Sequence, residues 1–103
     1  MNASSLCVLG CGNIGSAIAR GIEKSRQFSA GNITLTRRKV QLLEEFNKKY
    51  GFHITDDNSE AVKKSEIIII AVGPSHLMPL LDDISSHLNK NQLIISIVSG
   101  VEI

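Results

Sequence analysis

A glycine-rich turn between an apolar run and an amphipathic segment constrains the fold of this chain more than any other feature. Residues 5–10 read S-L-C-V-L-G, a nearly continuous apolar run typical of a strand buried on both faces of a parallel sheet. The turn G-C-G-N-I-G follows at residues 10–15, and apolar residues then recur at spacings of three and four through residues 13–25. This spacing predicts a helix with one buried face, so the turn joins a strand to a helix.

Strand-like and helix-like segments alternate along the rest of the sequence. Further strands are predicted at residues 33–36, 52–55, 67–72 and 93–98, and further helices at residues 40–50, 59–64 and 75–88. Gly51 is predicted to end the second helix, and Asn58 to cap the third. The alternation predicts a single α/β domain over residues 1–103, a doubly wound parallel sheet in a three-layer αβα arrangement. We expect the strand order 3-2-1-4-5 with right-handed crossovers, and a buried fifth strand.

Composition excludes several classes of function. Hydrophobic residues make up 43% of the chain, which excludes intrinsic disorder. The net charge of +1 provides no overall field for nucleic acid or an anionic membrane. The longest apolar run, residues 67–72, is too short to span a bilayer, and no signal peptide is recognised. Cys7 and Cys11 are expected to be reduced thiols of a cytoplasmic protein, with no metal site.

The turn at residues 10–15 fits the pattern G-x-G-x-x-G, which binds the pyrophosphate of a dinucleotide when it joins a buried strand to a helix. In that role Gly10 permits the tight turn, Gly12 lets the backbone approach the phosphates, and Gly15 lets the helix pack against the strand. The helix N-terminus offers unpaired N–H groups to the anion. We therefore predict a dinucleotide site, and the alternative is a purely structural turn.

The residues at the end of the second strand indicate which dinucleotide is bound. The dinucleotide fingerprint places an acidic residue there to hold the ribose 2′-hydroxyl, but this sequence has Thr36 followed by Arg37, Arg38 and Lys39. Arginine binds a 2′-phosphate that a carboxylate would repel. The pattern favours NADP over NAD, with NADPH preferred over NADH, and the alternative is a solvated basic cluster that begins a helix.

Three segments together resemble the pyrroline-5-carboxylate reductase family. They are G-C-G-N-I-G-S-A at residues 10–17, A-V-G-P at residues 71–74 and I-I-S-I-V-S-G-V at residues 94–101. The resemblance implies an oxidoreductase of proline biosynthesis that acts on a C=N bond, reducing 1-pyrroline-5-carboxylate to L-proline with NADPH. It also implies that a helical C-terminal half, which forms the homodimer and most of the substrate pocket, is absent from this chain. The chain alone is expected to be inactive.

The same resemblance assigns cofactor contacts and no catalytic residue. The glycine turn matches the pyrophosphate contacts, the end of the second strand matches the adenine ribose contacts, and two later segments match contacts near the nicotinamide. Asn58 matches a cofactor contact, although a plain helix cap is an equal alternative. The implied cofactor-binding residues are Gly10, Cys11, Gly12, Asn13, Ile14, Gly15, Thr36, Arg37, Arg38, Asn58, Ala71, Val72, Gly73, Pro74 and Ser99.

One position departs from the family pattern, because A-V-K-P is usual where this chain has Gly73. The missing lysine favours a paralogue that binds nucleotide without catalysis. A second alternative is an F420-dependent NADP reductase, which shares the glycine turn and the basic residues, although S-I-V-S-G-V speaks against it. Of the remaining polar residues, His76 is expected near the mouth of the cofactor cleft, whereas Asp82 and Asp83 are interpreted as surface charge.

Overall fold

The computed structural model describes residues 4–97, which contain one parallel sheet in the order β3-β2-β1-β4-β5. The strands are β1 Leu6–Leu9, β2 Ile33–Thr36, β3 His53–Thr55, β4 Ile67–Ile70 and β5 Leu93–Ser96. The helices are α1 Asn13–Ser25, α2 Glu44–Tyr50, α3 Asn58–Lys63 and α4 Pro74–Ile84. The predicted doubly wound α/β fold and its strand order are confirmed.

Two apolar clusters lie on opposite faces of this sheet, and β1 contributes to both. Leu6 and Val8 belong to the cluster beneath α1 and α2, whereas Cys7 and Leu9 belong to the cluster beneath α3 and α4. Successive side chains of a strand point to opposite faces, so an apolar run without polar interruptions serves both layers. The continuous apolar run in the sequence is thereby explained.

Two of the helices are shorter than predicted because 3₁₀ turns replace one of their ends. The predicted second helix begins as a 3₁₀ turn at Val40–Leu43, and the predicted fourth helix ends early, at Ile84, before a 3₁₀ turn at Ser85–His87. Gly51 ends α2 as predicted, with a φ of +82°. Among residues 4–97, no helix combines the length and the apolar character needed to cross a membrane.

The predicted cap of α3 is wrong by one residue. The Asp57 carboxylate accepts a hydrogen bond from the Glu60 N–H at 3.1 Å, and Asn58 is the first residue of the helix. The side chain of Asn58 is engaged elsewhere, because its Oδ1 accepts a hydrogen bond from the Thr36 hydroxyl. Asp57 therefore caps the helix, and Asn58 is held at the end of β2.

The fifth strand is exposed, which corrects the expectation of a buried strand. Every residue of β5 is exposed, and Leu93, its first residue, is 56% accessible to solvent. Within the described residues β5 pairs with β4 on one side and with no strand on the other. Val98, Gly100 and the predicted site residue Ser99 lie outside the described residues.

Candidate nucleotide-binding site

A cleft of about 760 Å³ opens where β1, β2 and β4 end. Small-molecule sites commonly measure about 300–1,000 Å³, and in open parallel sheets they lie outside the carboxyl ends of the strands, where the strand order reverses. The lining residues come from the glycine turn, the end of β2, the start of α3 and one side of α4. They are Gly10, Gly12, Thr36, Arg37, Arg38, Lys39, Leu42, Asn58, Val72, His76, Pro79, Leu80 and Asp83.

A side chain would be crowded by neighbouring atoms at two positions of the glycine turn, most severely at Gly10. Gly10 has a φ of +75°, and a Cβ there would overlap Val72 Cγ1 and lie 3.2 Å from the Ala71 carbonyl oxygen. A Cβ on Gly15 would lie 3.3 Å from the carbonyl oxygen of Gly10. Gly12 differs, because no atom would lie within 4 Å of its Cβ, and it lines the cleft. Its open side is thus available to a ligand.

The partial positive charge at the N-terminus of α1, which begins at this turn, is not neutralised by any side chain of the first turn. Gly12 is the N-cap residue, no side chain caps the helix, and no acidic residue lies in the first turn. The N–H groups of Asn13 and Ile14 have no intrahelical partner, and the helix dipole adds partial positive charge there. These features fit the phosphate groups of a dinucleotide.

The Thr36 hydroxyl joins the three segments that meet at the floor of the cleft. Thr36 is 1% exposed, its Oγ1 accepts a hydrogen bond from the Gly10 N–H at 3.2 Å, and its hydroxyl donates to Asn58 Oδ1 at 2.5 Å. The Cys11 N–H also donates to the Thr36 carbonyl oxygen at 2.7 Å. Thr36, at the position where the fingerprint expects an acid, therefore fixes the glycine turn against β2 and α3.

The basic residues after β2 lie along the cleft. Arg37 is partly buried, and its Nη1 donates to the Cys11 carbonyl oxygen at 3.5 Å. Its backbone N–H donates to the Thr55 carbonyl oxygen at 3.3 Å. Arg38 and Lys39 are exposed and line the same cleft. Arg37 is thus tethered beside the glycine turn, while two further positive charges remain accessible.

The two cysteines are free and buried. Burial raises the pKa of the Cys11 thiol, although a hydrogen bond from Ser16 and the positive charges of Arg37 and Arg20 oppose the shift. Cys11 is fully buried, and its N–H and carbonyl oxygen are hydrogen-bonded to Thr36 and Arg37, so it supports the turn from beneath. Among the described residues, no group of three or more His, Cys, Asp and Glu side chains is arranged to hold a metal ion.

The sequence-predicted residues fall into four groups. Gly10, Gly12, Thr36, Arg37, Arg38, Asn58 and Val72 line the cleft. Cys11, Gly15 and Ala71 are buried, whereas Asn13, Ile14, Gly73 and Pro74 lie within two residues of a lining residue without lining the cleft themselves. Ser99 lies outside the described residues.

Sequence reasoning missed most of the α4 side of the cleft. His76 lines the cleft, consistent with its expected place near the mouth, but so do Pro79, Leu80 and Asp83. Asp83 is exposed, in agreement with its interpretation as surface charge, and its position on the helix also places it along the cleft. The signal was present as the spacing i, i+3, i+4 and i+7 from His76, which defines one face of a helix.

The fold and the cleft define a nucleotide-binding domain of the doubly wound α/β class. The chain belongs to the family described as NADP oxidoreductase coenzyme F420-dependent, whose model matches residues 5–100.

Similarity to known proteins confirms the resemblance to pyrroline-5-carboxylate reductases. The chain is 43% identical over 100 residues to pyrroline-5-carboxylate reductase 1 of Dictyostelium discoideum, a match that covers 97% of this chain and 18% of the relative. The solved pyrroline-5-carboxylate reductase of Coxiella burnetii matches with a TM-score of 0.87 and 26% identity, over 98% of this chain and 37% of that one. The Plasmodium falciparum pyrroline carboxylate reductase, solved with NADP bound, matches with a TM-score of 0.80 and 27% identity, over 100% and 36% of the two chains. The chain thus spans between 18% and 37% of the length of these relatives.

Proposed function

We propose that this chain is the NADP-binding part of a pyrroline-5-carboxylate reductase, an oxidoreductase that acts on a C=N bond. The observation that carries the proposal is the meeting of the glycine turn, an uncapped helix N-terminus and three basic side chains at one cleft. Its similarity to reductases of that name supports the substrate class, 1-pyrroline-5-carboxylate.

Each part of the cleft would bind a different part of the cofactor. The backbone at Gly10 and Gly12, with the N–H groups of Asn13 and Ile14, would hold the pyrophosphate. Arg37 and Arg38 would bind the 2′-phosphate by charge-assisted hydrogen bonds. Bound NADPH would supply the hydride that reduces the imine carbon.

The segment after β4 and the start of α3 would complete the cofactor shell. Val72 packs against Gly10 and lines the cleft, and the family resemblance assigns residues 71–74 to the nicotinamide ribose. Asn58, whose Oδ1 is engaged by Thr36, retains its amide N–H groups for a ligand. Ser99 is proposed as a contact near the nicotinamide on the family resemblance alone.

NADPH is the proposed preferred cofactor because the charge at the end of β2 is positive. Arg37, Arg38 and Lys39 all line the cleft. NAD-dependent proteins have at the end of this strand a carboxylate that binds the free ribose 2′-hydroxyl, whereas this chain has Thr36 followed by the three basic residues. Tethering Arg37 to the Cys11 carbonyl oxygen reduces the conformational freedom that the side chain would lose on binding.

Substrate positioning and oligomer formation would depend on regions of the full reductase beyond this chain. The named relatives are longer than this chain, and we assign substrate positioning and homo-oligomer formation to a helical C-terminal region of the full reductase. A cytoplasmic location is supported by the two free, buried thiols, since disulfides are rare in that compartment.

The proposal is tested by comparing this chain with a full-length reductase that contains it. Titration with NADPH and NADH should show binding of both by the chain, with NADPH bound more tightly. Reduction of 1-pyrroline-5-carboxylate, followed by NADPH absorbance, should occur in the full-length protein and not in the chain. Positioning of reactants accounts for about 7–11 kcal/mol of many barriers, so turnover by the chain near the full-length rate would overturn this division of roles.

A second candidate is hydride exchange between NADP and the deazaflavin F420, which the description of the matching family favours. Both candidates require the same nucleotide cleft and differ in the hydride partner. Assaying the full-length protein with F420 and with 1-pyrroline-5-carboxylate separates them, and we expect turnover with the imine.

The third candidate, a nucleotide-binding protein without catalysis, depends on Gly73. No atom would lie within 4 Å of a Cβ at Gly73, and its φ is −71°, so the fold accommodates the lysine usual in the family. If that side chain assists the reaction, Gly73→Lys in the full-length protein should raise turnover measured at saturating NADPH. Turnover by the unaltered protein would exclude the non-catalytic candidate.

A further inference from the structure

Asp83 introduces a negative charge into a cleft that otherwise attracts anions. It is the one acidic residue among those that line the cleft within residues 4–97, opposite Arg37, Arg38 and Lys39 in charge. An ionised carboxylate only accepts hydrogen bonds, so it would repel the phosphates of a dinucleotide. The Asp83 carboxylate is compatible with a bound dinucleotide only if it faces a group of the dinucleotide that donates a hydrogen bond.

Asp83 also lies away from the start of α4, where residues 71–74 are assigned to the nicotinamide ribose. His76, in the first turn of α4, and Asp83 are seven residues apart on one face of the helix. At about 1.5 Å of rise per residue, that separation is about 10 Å along the axis. The carboxylate is therefore placed for a distal part of the ligand.

Apolar surface accompanies Asp83 on this side of the cleft. Pro79 lines the cleft from the same helical face, and Leu42, which is 54% exposed, lines it from the 3₁₀ turn after the basic residues. Pro79 lies inside α4 and is exposed. A proline there removes a backbone hydrogen bond from the helix without filling the core, and it presents a rigid apolar ring to the cleft.

We propose that Leu42, Pro79 and Asp83 form a purine subsite in which Asp83 reads the 6-amino group of adenine. This inference rests on the proposed function and assigns residues to the base, which the glycine turn and the basic residues leave unbound. Leu42 and Pro79 pack against the ring, and the Asp83 carboxylate accepts a hydrogen bond from the exocyclic amine. A purine with oxygen at position 6 would place that oxygen against the Asp83 carboxylate, and two hydrogen-bond acceptors repel each other.

The test compares the binding of NADP with that of its hypoxanthine analogue, in which oxygen replaces the 6-amino group. The unaltered chain should bind NADP about tenfold more tightly, since a hydrogen bond to a charged group has roughly that effect on affinity. Asp83→Asn should bring the ratio of the two dissociation constants close to one, because an amide pairs with either group. Calorimetry measures both constants without any need for turnover.

Asp82→Asn is the matched control. It removes the same charge from the neighbouring exposed residue, which does not line the cleft, and should leave the ratio unchanged. If Asp83→Asn strengthens both ligands equally and preserves the ratio, Asp83 acts through its charge alone and the subsite is wrong. Equal binding of both ligands by the unaltered chain would overturn it as well. Failure to bind either ligand would overturn the proposed function, and the subsite with it.

Discussion

The central strands β1 and β2 and the edge strand β5 are alike in their apolar character and opposite in their environment. Every residue of β1 and β2 is buried, and every residue of β5 is exposed. β1 pairs with a strand on each side and has helices over both faces. Among the described residues, β5 pairs with β4 alone.

This difference separates a rigid region that builds the cleft from an apolar surface open to association. The glycine turn and the basic residues follow β1 and β2 directly, so dense packing beneath them fixes the positions of their backbone groups. Leu93 and Ile95 of β5 and Ile97, which follows the strand, are exposed, a concentration of apolar surface typical of an interaction site or an aggregation-prone edge.

The largest expected effect contrasts one residue type in the two environments. Leu35→Ala in β2 should lower the free energy of unfolding by about 2–5 kcal/mol, because Leu35 is fully buried and truncation leaves a cavity. Leu93→Ala in β5 should cost less than about 1 kcal/mol, because Leu93 is already 56% exposed. Urea denaturation followed by circular dichroism measures both. Equal losses that grow with protein concentration would show that β5 is covered by a second copy.

A second contrast lies within the glycine turn. Gly10→Ala should lower the free energy of unfolding by about 2–4 kcal/mol, because the added methyl overlaps Val72 and the φ is +75°. Gly12→Ala is the matched variant, since its Cβ meets no atom within 4 Å, and it should weaken NADPH binding with little change in stability. The role assigned to the turn would be contradicted if Gly12→Ala bound NADPH normally.

A smaller effect is expected at the basic residues. Arg37→Ala should weaken NADPH binding about tenfold or more, because a charge-assisted hydrogen bond contributes about 1.5–3 kcal/mol. NADH binding should change far less, so the preference between the cofactors should narrow. Arg20→Ala, an exposed position outside the cleft, is the control for net charge. If Arg37→Ala, like Arg20→Ala, leaves the preference for NADPH over NADH unchanged, the basic residues after β2 are a solvated cluster with no role in cofactor choice.

A further effect, confined to alkaline pH, concerns the burial of Cys7 in β1. Burial raises the pKa of the Cys7 thiol from 9.0 to about 11, while a hydrogen bond to Ser65 and the charge of Lys64 oppose the shift. The folded state therefore holds this proton more tightly than the unfolded state. Its contribution is fully present below pH 9 and is lost as the pH rises towards 11, by at most about 1.4 kcal/mol per pH unit. Unfolding of the unaltered chain and Cys7→Ala between pH 8 and 11 isolates this slope, and equal slopes would contradict it.

The sequence predicted the elements that local patterning controls and missed those that depend on distant neighbours. The strand order follows from alternating strands and helices with right-handed crossovers, and Gly10 and Gly15 follow from the turn they build. Two polar residues at positions 57 and 58 both suit a helix cap. The choice of Asp57 depends on Thr36, 22 residues away from Asn58, which holds the Asn58 side chain.

The missed parts of the site have the same origin. A helical stripe from His76 to Asp83 is visible in the sequence, but its environment depends on how α4 lies beside the residues after β2. For β5, the apolar sequence correctly predicts a strand and contains no information on which element covers it. Burial is therefore the least predictable property of an edge strand.

Thr36 also determines how the cofactor preference of this fold could be engineered. A single exchange of Thr36 for the acid used by NAD-dependent proteins would remove the hydroxyl that donates to Asn58 and place a charge beneath the Gly10 N–H. Thr36 holds the floor of the cleft together, and the next two residues, Arg37 and Arg38, set the cofactor preference. Substitution is therefore tolerated less well at Thr36 than at the two arginines. A redesign that begins at Arg37 and Arg38 leaves the floor intact, whereas one that begins at Thr36 must rebuild Asn58 and the turn together.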